Sequence, residues 1–253
     1  MSYAASPSAQ KIDVPESLRT AYTTVIDNAQ LAINLALVPF AILAGLEIVA
    51  WLVGGGGWFG MILALLVRAG GFAVFGTAFI VRWHRFILLG ETTSQSLLPP
   101  GWIPFFLTAV KIGVAVFVGI LILMIVTMIP PILLTGTIAL VGYIALGLGA
   151  TRLSLAFPAA AIERPISLQE AWDRIAGNFW RLFACLLVCY LPFAIVHFIV
   201  TAIGGALPDI LWIVFQIVGL AVSFAGVAVV ASLLSDIYRG LYPTDAQAER
   251  RAS

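Results

Sequence analysis

Charge is what this chain has least of. Only 10% of its 253 residues are Asp, Glu, Lys or Arg, whereas 62% are hydrophobic, and the mean hydropathy is +1.08. A soluble domain carries about a quarter charged residues, so the shortage excludes one and describes a polytopic membrane protein. The net charge of +1 provides no basic field, and no nucleic-acid partner is expected. Cysteine is nearly absent. Cys185 and Cys189 stand four apart on one expected helix, which is neither a disulfide framework nor a metal-ligand spacing. They read as small packing residues. Histidine is as rare: His84 and His197 lie at different depths, separated by most of the membrane, and cannot share a metal or an acid–base pair. HExxH, P-loop, GxSxG and Gly-rich phosphate motifs are all missing. No catalytic residue, cofactor or metal is therefore expected. The first 29 residues also lack the apolar region of a cleavable signal peptide, so the first span is expected to stay in the mature protein.

What the chain does have is apolar runs. A helix needs about 20 apolar residues to cross the hydrocarbon core. Six segments qualify, at 31–53, 59–81, 104–129, 132–151, 182–204 and 211–235. "GGGG" at 54–57, Pro130–Pro131 and "GGALPD" at 204–209 punctuate them. These links are short, so the expected fold is all-α, with six transmembrane helices in three antiparallel hairpins. The expected unit spans 15–241, between flexible tails at 1–14 and 242–253.

The cations give the orientation. Lys11, Arg19, Arg82, Arg85, Arg152, Arg164, Arg174, Arg181, Arg239, Arg250 and Arg251 all fall on the side that holds both termini. None is in a short link. By the positive-inside rule both termini are cytoplasmic. Trp51, Trp58 and Trp212 lie near the outer boundary, and Trp83, Trp102, Trp172 and Trp180 near the inner one, as interfacial anchors. Two cytoplasmic segments, "SLRTAYTTVIDN" (17–28) and "SLQEAWDRIAGN" (167–178), match at Ser17/Ser167, Ala21/Ala171, Tyr22/Trp172 and Asn28/Asn178. Their apolar positions recur at helical spacing, and Ser167 with Glu170 forms a capping box. Both read as interfacial amphipathic helices, and their matching suggests a duplicated helix–hairpin unit.

"VRWHRFILLGE" (81–91), "TRLSLAFPAAAIE" (151–163) and "SLQEAWDRIAGNFWRL" (167–182) together carry a family resemblance. From about residue 17 to 240 the chain resembles bacterial six-span membrane proteins related to the membrane domain fused to some glycerophosphodiester phosphodiesterases. The resemblance implies a multi-pass fold in a bacterial inner membrane. The catalytic barrel of those enzymes has no counterpart in this sequence, so no diesterase activity is implied.

Within "RWHR", Arg82 and Arg85 read as a snorkelling stop at the inner boundary. The sharper reading is a lipid headgroup site, in which Arg82, His84 and Arg85 are joined by Arg152 and Arg181. A groove in which Arg82, Arg85, Glu91 and Glu163 surround a lipid would mark it. Lys111 can snorkel to the same boundary. Pro192 sits well inside a span, where a kink is expected. His197 and Gln216 are candidates for polar lining, and the small residues Gly219 and Ser223 are read as helix-packing positions.

Arg68, in "LALLVRAGGFAVFG", is the outlier. It lies roughly 14 Å below the outer turn, too deep to leave uncompensated. The only carboxylate within a span is Glu47, roughly 10 Å deep on the preceding helix. A Glu47–Arg68 pair is expected, either as a strut for the first hairpin or as a coupling site for an ion or anionic substrate.

Three function classes follow. A non-enzymatic scaffold or lipid-associated assembly factor suits the lean polar interior. Its expected partners are membrane lipids, anionic phospholipid among them, and a membrane-protein partner or a second copy. A small transporter or channel would use Glu47 and Arg68. A membrane-embedded lipid-modifying enzyme would need an acid and base in mutual reach, which the sequence does not supply.

Overall fold

The structure is a computed structural model that describes residues 11–92, 96–128 and 132–242. Its elements are helices: α1 (Val14–Asp27), α2 (Ala29–Gly54), α3 (Gly57–Gly71), α4 (Thr77–Leu89), α5 (Trp102–Thr127), α6 (Ile132–Leu153), α7 (Ala156–Ala161), α8 (Leu168–Arg174), α9 (Phe179–Gly205) and α10 (Asp209–Leu241). A single π-helical turn, Phe72–Gly76, joins α3 to α4 without a break. Six stretches are long and apolar enough to cross a membrane: Ala29–Gly54, Gly57–Leu89, Trp102–Thr127, Leu134–Leu153, Phe179–Gly205 and Leu211–Leu241. Pairs α2–α3, α5–α6 and α9–α10 each pack together. We call the end that holds α1, α7 and α8 the base, and the end with the α2–α3 and α9–α10 turns the apex.

Several boundaries differ from those expected. The second span continues to Leu89 instead of ending at 81. No helix breaker intervenes before Gly90, whose φ of 74° lets its N–H bond to the Phe86 carbonyl at 2.9 Å. The last span likewise runs to Leu241 rather than 235. The folded unit also begins before 15. The Ile12 N–H donates to Asn178 Oδ1 at 2.9 Å, and Arg181 Nη1 donates to the Ile12 carbonyl at 2.7 Å. Residues 1–10 and 243–253, most of the expected tails, lie outside the described residues, as does the Pro130–Pro131 turn. Pro192 is not alone inside a span, because Pro39 is buried within α2.

The two matched base segments share positions more than shapes. Ala21 and Ala171 are both fully buried, and Asn28 and Asn178 both precede a span, with φ of −115° and −122°. Ser167 caps α8 by accepting the Glu170 N–H at 3.0 Å. Ser17 does not play that part. It lies inside α1, which is capped by Asp13 instead. Helix α8 is only seven residues long, and a further short helix, α7, lies between it and α6.

α10 is the post of the bundle. It contacts α9, α1, α4, α2 and α7, and its base half is the most buried stretch of any span. One apolar cluster joins Leu182, Cys185 and Cys189 of α9 to Leu233, Leu234 and Ile237 of α10, with Leu155 and Ile175 beneath. Both cysteines are free and fully buried, as packing residues would be. A second cluster brings Leu35 and Leu43 of α2 against Phe79 and Trp83 of α4 and Phe224 of α10. The α5–α6 hairpin stands at the margin, with no described residue of α6 buried.

Candidate functional site

Near the apex, Arg68 Nε donates to Glu47 Oε2 at 2.8 Å. Helix direction explains the contact. Side chains tilt toward the N-terminus of their helix, so Glu47 on α2 leans toward the base and Arg68 on α3 leans toward the apex. The α2–α3 turn is tight enough to hold them in register, since a Cβ on Gly60 would collide with the Val53 carbonyl. The Arg68 side chain keeps 35% of its exposure, against 18% for Glu47. Arg68 lines a cavity of about 560 Å³ that reaches Gly54 and Gly55 of the apex turn, with Trp51, Met61 and Trp212 among its other walls. The Trp212 ring centroid lies 5.7 Å from Arg68 Cζ. Two of the three walls that give this cavity its shape come from one hairpin. The third, Trp212, comes from α10, which sequence distance conceals.

Two turns further along α10 is a separate polar contact. His197 Nδ1 lies 3.0 Å from the Gly219 carbonyl and 3.2 Å from Ser223 Oγ. A carbonyl only accepts, so Nδ1 carries the proton in this arrangement. Gly219 and Ser223 are therefore partners of His197 as well as packing positions, because a Cβ on Gly219 would stand 3.2 Å from the imidazole. Gln216 is half-buried between this level and Trp212, and its amide has no hydrogen-bond partner among the described residues. Neither His197 nor Gln216 bonds to Glu47 or Arg68.

At the base, "RWHR" does not point outward. Arg82, His84 and Arg85 are 8%, 1% and 8% exposed, and Trp83 is fully buried. The three basic residues neither snorkel nor offer an open face to lipid, and Trp83 is no interfacial anchor. Helix α4 points these side chains two ways. Trp83 Nε1 donates to Ser232 Oγ at 2.8 Å, and His84 Nδ1 lies 2.7 Å from Ser235 Oγ, both on α10. Arg82 Nη2 donates to the Ser96 and Leu97 carbonyls at 2.8 and 3.0 Å. Arg85 donates to Glu91 through Nε and Nη2, both at 2.7 Å, and through Nη1 to the Ala161 carbonyl at 3.1 Å and Glu163 Oε2 at 3.3 Å. The expected grouping of Arg85, Glu91 and Glu163 exists, but the acids close on the arginine itself. It is a loop clamp.

Arg152 and Arg181 do not join that cluster. Arg152 lies over the Trp172 and Phe179 rings at 4.5 and 4.8 Å, and Arg181 holds Ile12. Among the described residues no three His, Cys, Asp or Glu side chains gather where a metal ion could sit.

The chain matches no family model, no curated protein and no solved structure. The resemblance to the phosphodiesterase-linked membrane domain gains no support from these comparisons, and the chemistry must be read from the site. Three polar levels lie along α10, at Trp212, at Gly219–Ser223 and at Ala228–Ser235. Successive levels are roughly 10–14 Å apart at the rise of an α-helix. Each is closed by its own neighbours except the first, where the terminal nitrogens of Arg68 have no bond among the described residues and stand beside a cavity.

Proposed function

We propose that this protein is a non-enzymatic, lipid-associated scaffold of a bacterial inner membrane, with its base and both termini in the cytoplasm. The carrying observation is that most polar groups inside the spans are used on other parts of the same chain, as in the Glu47–Arg68, His197–Gly219, Trp83–Ser232 and His84–Ser235 contacts, with Gln216 and the terminal nitrogens of Arg68 as exceptions among the described residues. Such an interior supports shape rather than turnover. A further void lies between helices. A wholly apolar groove of about 430 Å³ lies between α2 and α10, lined by Ala32, Ala36 and Phe40 on one side and Ala221, Phe224 and Ala225 on the other. A groove of that kind suits an acyl chain. The cytoplasmic placement of the base rests on its arginines and on the absence of any cation in the described apex turns. The bacterial setting rests on the family resemblance alone.

Native mass spectrometry of the gently solubilised chain tests this reading. Retained phospholipid, with a second copy or another membrane protein, is the expected spectrum. A bare monomer would overturn the reading. The cavity at Arg68 favours one alternative, a small transporter that uses the Glu47–Arg68 pair. Its test is ion-dependent flux in liposomes, lost in the Glu47→Gln variant.

A further inference from the structure

We infer that the apex cavity is a binding site for a phosphate-bearing anion, gripped by the two terminal nitrogens of Arg68 between Trp51 and Trp212. The inference deepens the lipid-associated reading and rests on it. A guanidinium carries five N–H donors in a rigid fork. Glu47 takes the one on Nε at 2.8 Å. The four on the terminal nitrogens have no acceptor among the described residues. The Arg68 side chain keeps only 35% of its exposure, so these donors lack the full hydration of a surface arginine and an acceptor in the cavity would satisfy them. Arg68 leans toward the apex and is itself a wall of the cavity, whereas Glu47 is not. An anion entering from the apex turn therefore meets the guanidinium first, with the carboxylate behind it.

The surroundings narrow the ligand class. A phosphate presents two oxygens at the spacing of two parallel N–H donors, the pairing that arginine makes best. Trp212, its ring centroid 5.7 Å from Arg68 Cζ, and Trp51 give the cavity flat apolar sides of the amphipathic kind that favours membrane interfaces. Leu52, Met61 and Ala64 make the remainder apolar. About 560 Å³ is ample for a phosphate ester and the start of its chains. A free phosphate has the same oxygens, so the test must separate the two sources.

The intact protein, delipidated in detergent, is titrated with phosphatidylglycerol, with diacylglycerol and with inorganic phosphate, and binding is read by native mass spectrometry. The wild-type chain is expected to bind its first phosphatidylglycerol at least about tenfold more tightly than diacylglycerol. Arg68→Gln removes that preference, and Glu47→Gln keeps it, because the fork remains. Should Arg68→Gln unfold, the double variant with Glu47→Gln leaves no unpaired charge and is expected to fold without the preference. Displacement of the lipid by millimolar inorganic phosphate supports the site and assigns it to soluble phosphate. Failure to displace assigns it to the lipid headgroup. The inference is overturned if Arg68→Gln binds phosphatidylglycerol like the wild type, or if the wild type shows no preference over diacylglycerol. Lipid retained with an unchanged Arg68→Gln variant defeats this site alone, whereas a wild type that holds no lipid defeats the scaffold reading too.

Discussion

Arg68 and Glu47 meet because antiparallel helices tilt their side chains in opposite senses, and the pair therefore depends on both residues together. Removing one partner leaves the other charged in an apolar surrounding. Removing both leaves two amides of similar size. In detergent, Glu47→Gln and Arg68→Gln are each expected to lower stability by about 1–3 kcal/mol. That lies below the range for a fully buried pair, because Arg68 is partly open. The double variant should lose less than the sum of the two. A double-mutant cycle on unfolding midpoints measures the difference, and strict additivity would mean the pair is not coupled. Asn178 poses the same question on neutral ground. Its Oδ1 holds the Ile12 N–H while Arg181 holds the Ile12 carbonyl, so one backbone unit is gripped from both sides. Asn178→Ala frees one grip, worth about 1 kcal/mol. Trypsin should then cut after Lys11 several-fold faster than in the wild type. An unchanged cleavage rate would show that the strap is held by Arg181 alone.

At the scale of elements, α4 is where the loops are decided. Arg82 holds the carbonyls of Ser96 and Leu97, and Arg85 draws Glu91, Ala161 and Glu163 together, so one helical turn closes two connections at once. Gly101 fits this closure for a backbone reason. Its φ is +79°, and a Cβ there would collide with the Ala161 carbonyl that Arg85 also bonds. Gly101→Ala is expected to cost more than about 2 kcal/mol, from strain and collision together. The thermal unfolding midpoint would show it, and a midpoint equal to the wild type would mean the clamp adapts. The hairpins themselves were legible, because a run of about 20 apolar residues between Gly and Pro punctuation has few other solutions in a membrane. The Glu47–Arg68 contact was legible from depth counting alone. The inward turn of Arg82 and Arg85 was not. Charge counting places cations on a side of the membrane but says nothing of their direction, and their acceptors, the Ser96, Leu97 and Ala161 carbonyls and the Glu91 and Glu163 carboxylates, converge only once the connections fold back on α4. The cavity beside Arg68 was hidden for a similar reason, since Trp212 reaches it only through the packing of α10 on the first hairpin.

Across the whole molecule, stability is unevenly shared. α10 packs against five other helices, with Ala231 only 3% exposed, whereas α6 is unburied along its described length and Gly147 has open space around it. The contrast predicts opposite responses to similar added volumes. Ala231→Leu forces new methylenes between α10 and the α2–α4 side, and overpacking of this kind costs about 1–3 kcal/mol. Gly147→Leu adds those three carbons and a Cβ to a face that meets only lipid if the chain works alone, so it should be neutral or, through helix propensity, stabilising by up to about 1 kcal/mol. Thermal unfolding of the two variants in one lipid nanodisc composition makes the comparison. If Gly147→Leu proves as harmful as Ala231→Leu, something other than lipid lies against α6. A second copy and a different membrane protein are then separated by concentration. Loss of a homo-oligomer follows the protein's own dilution, and loss of a heterologous partner does not. A scaffold needs a firm post and a free face, and this pair of substitutions measures both in the intact chain.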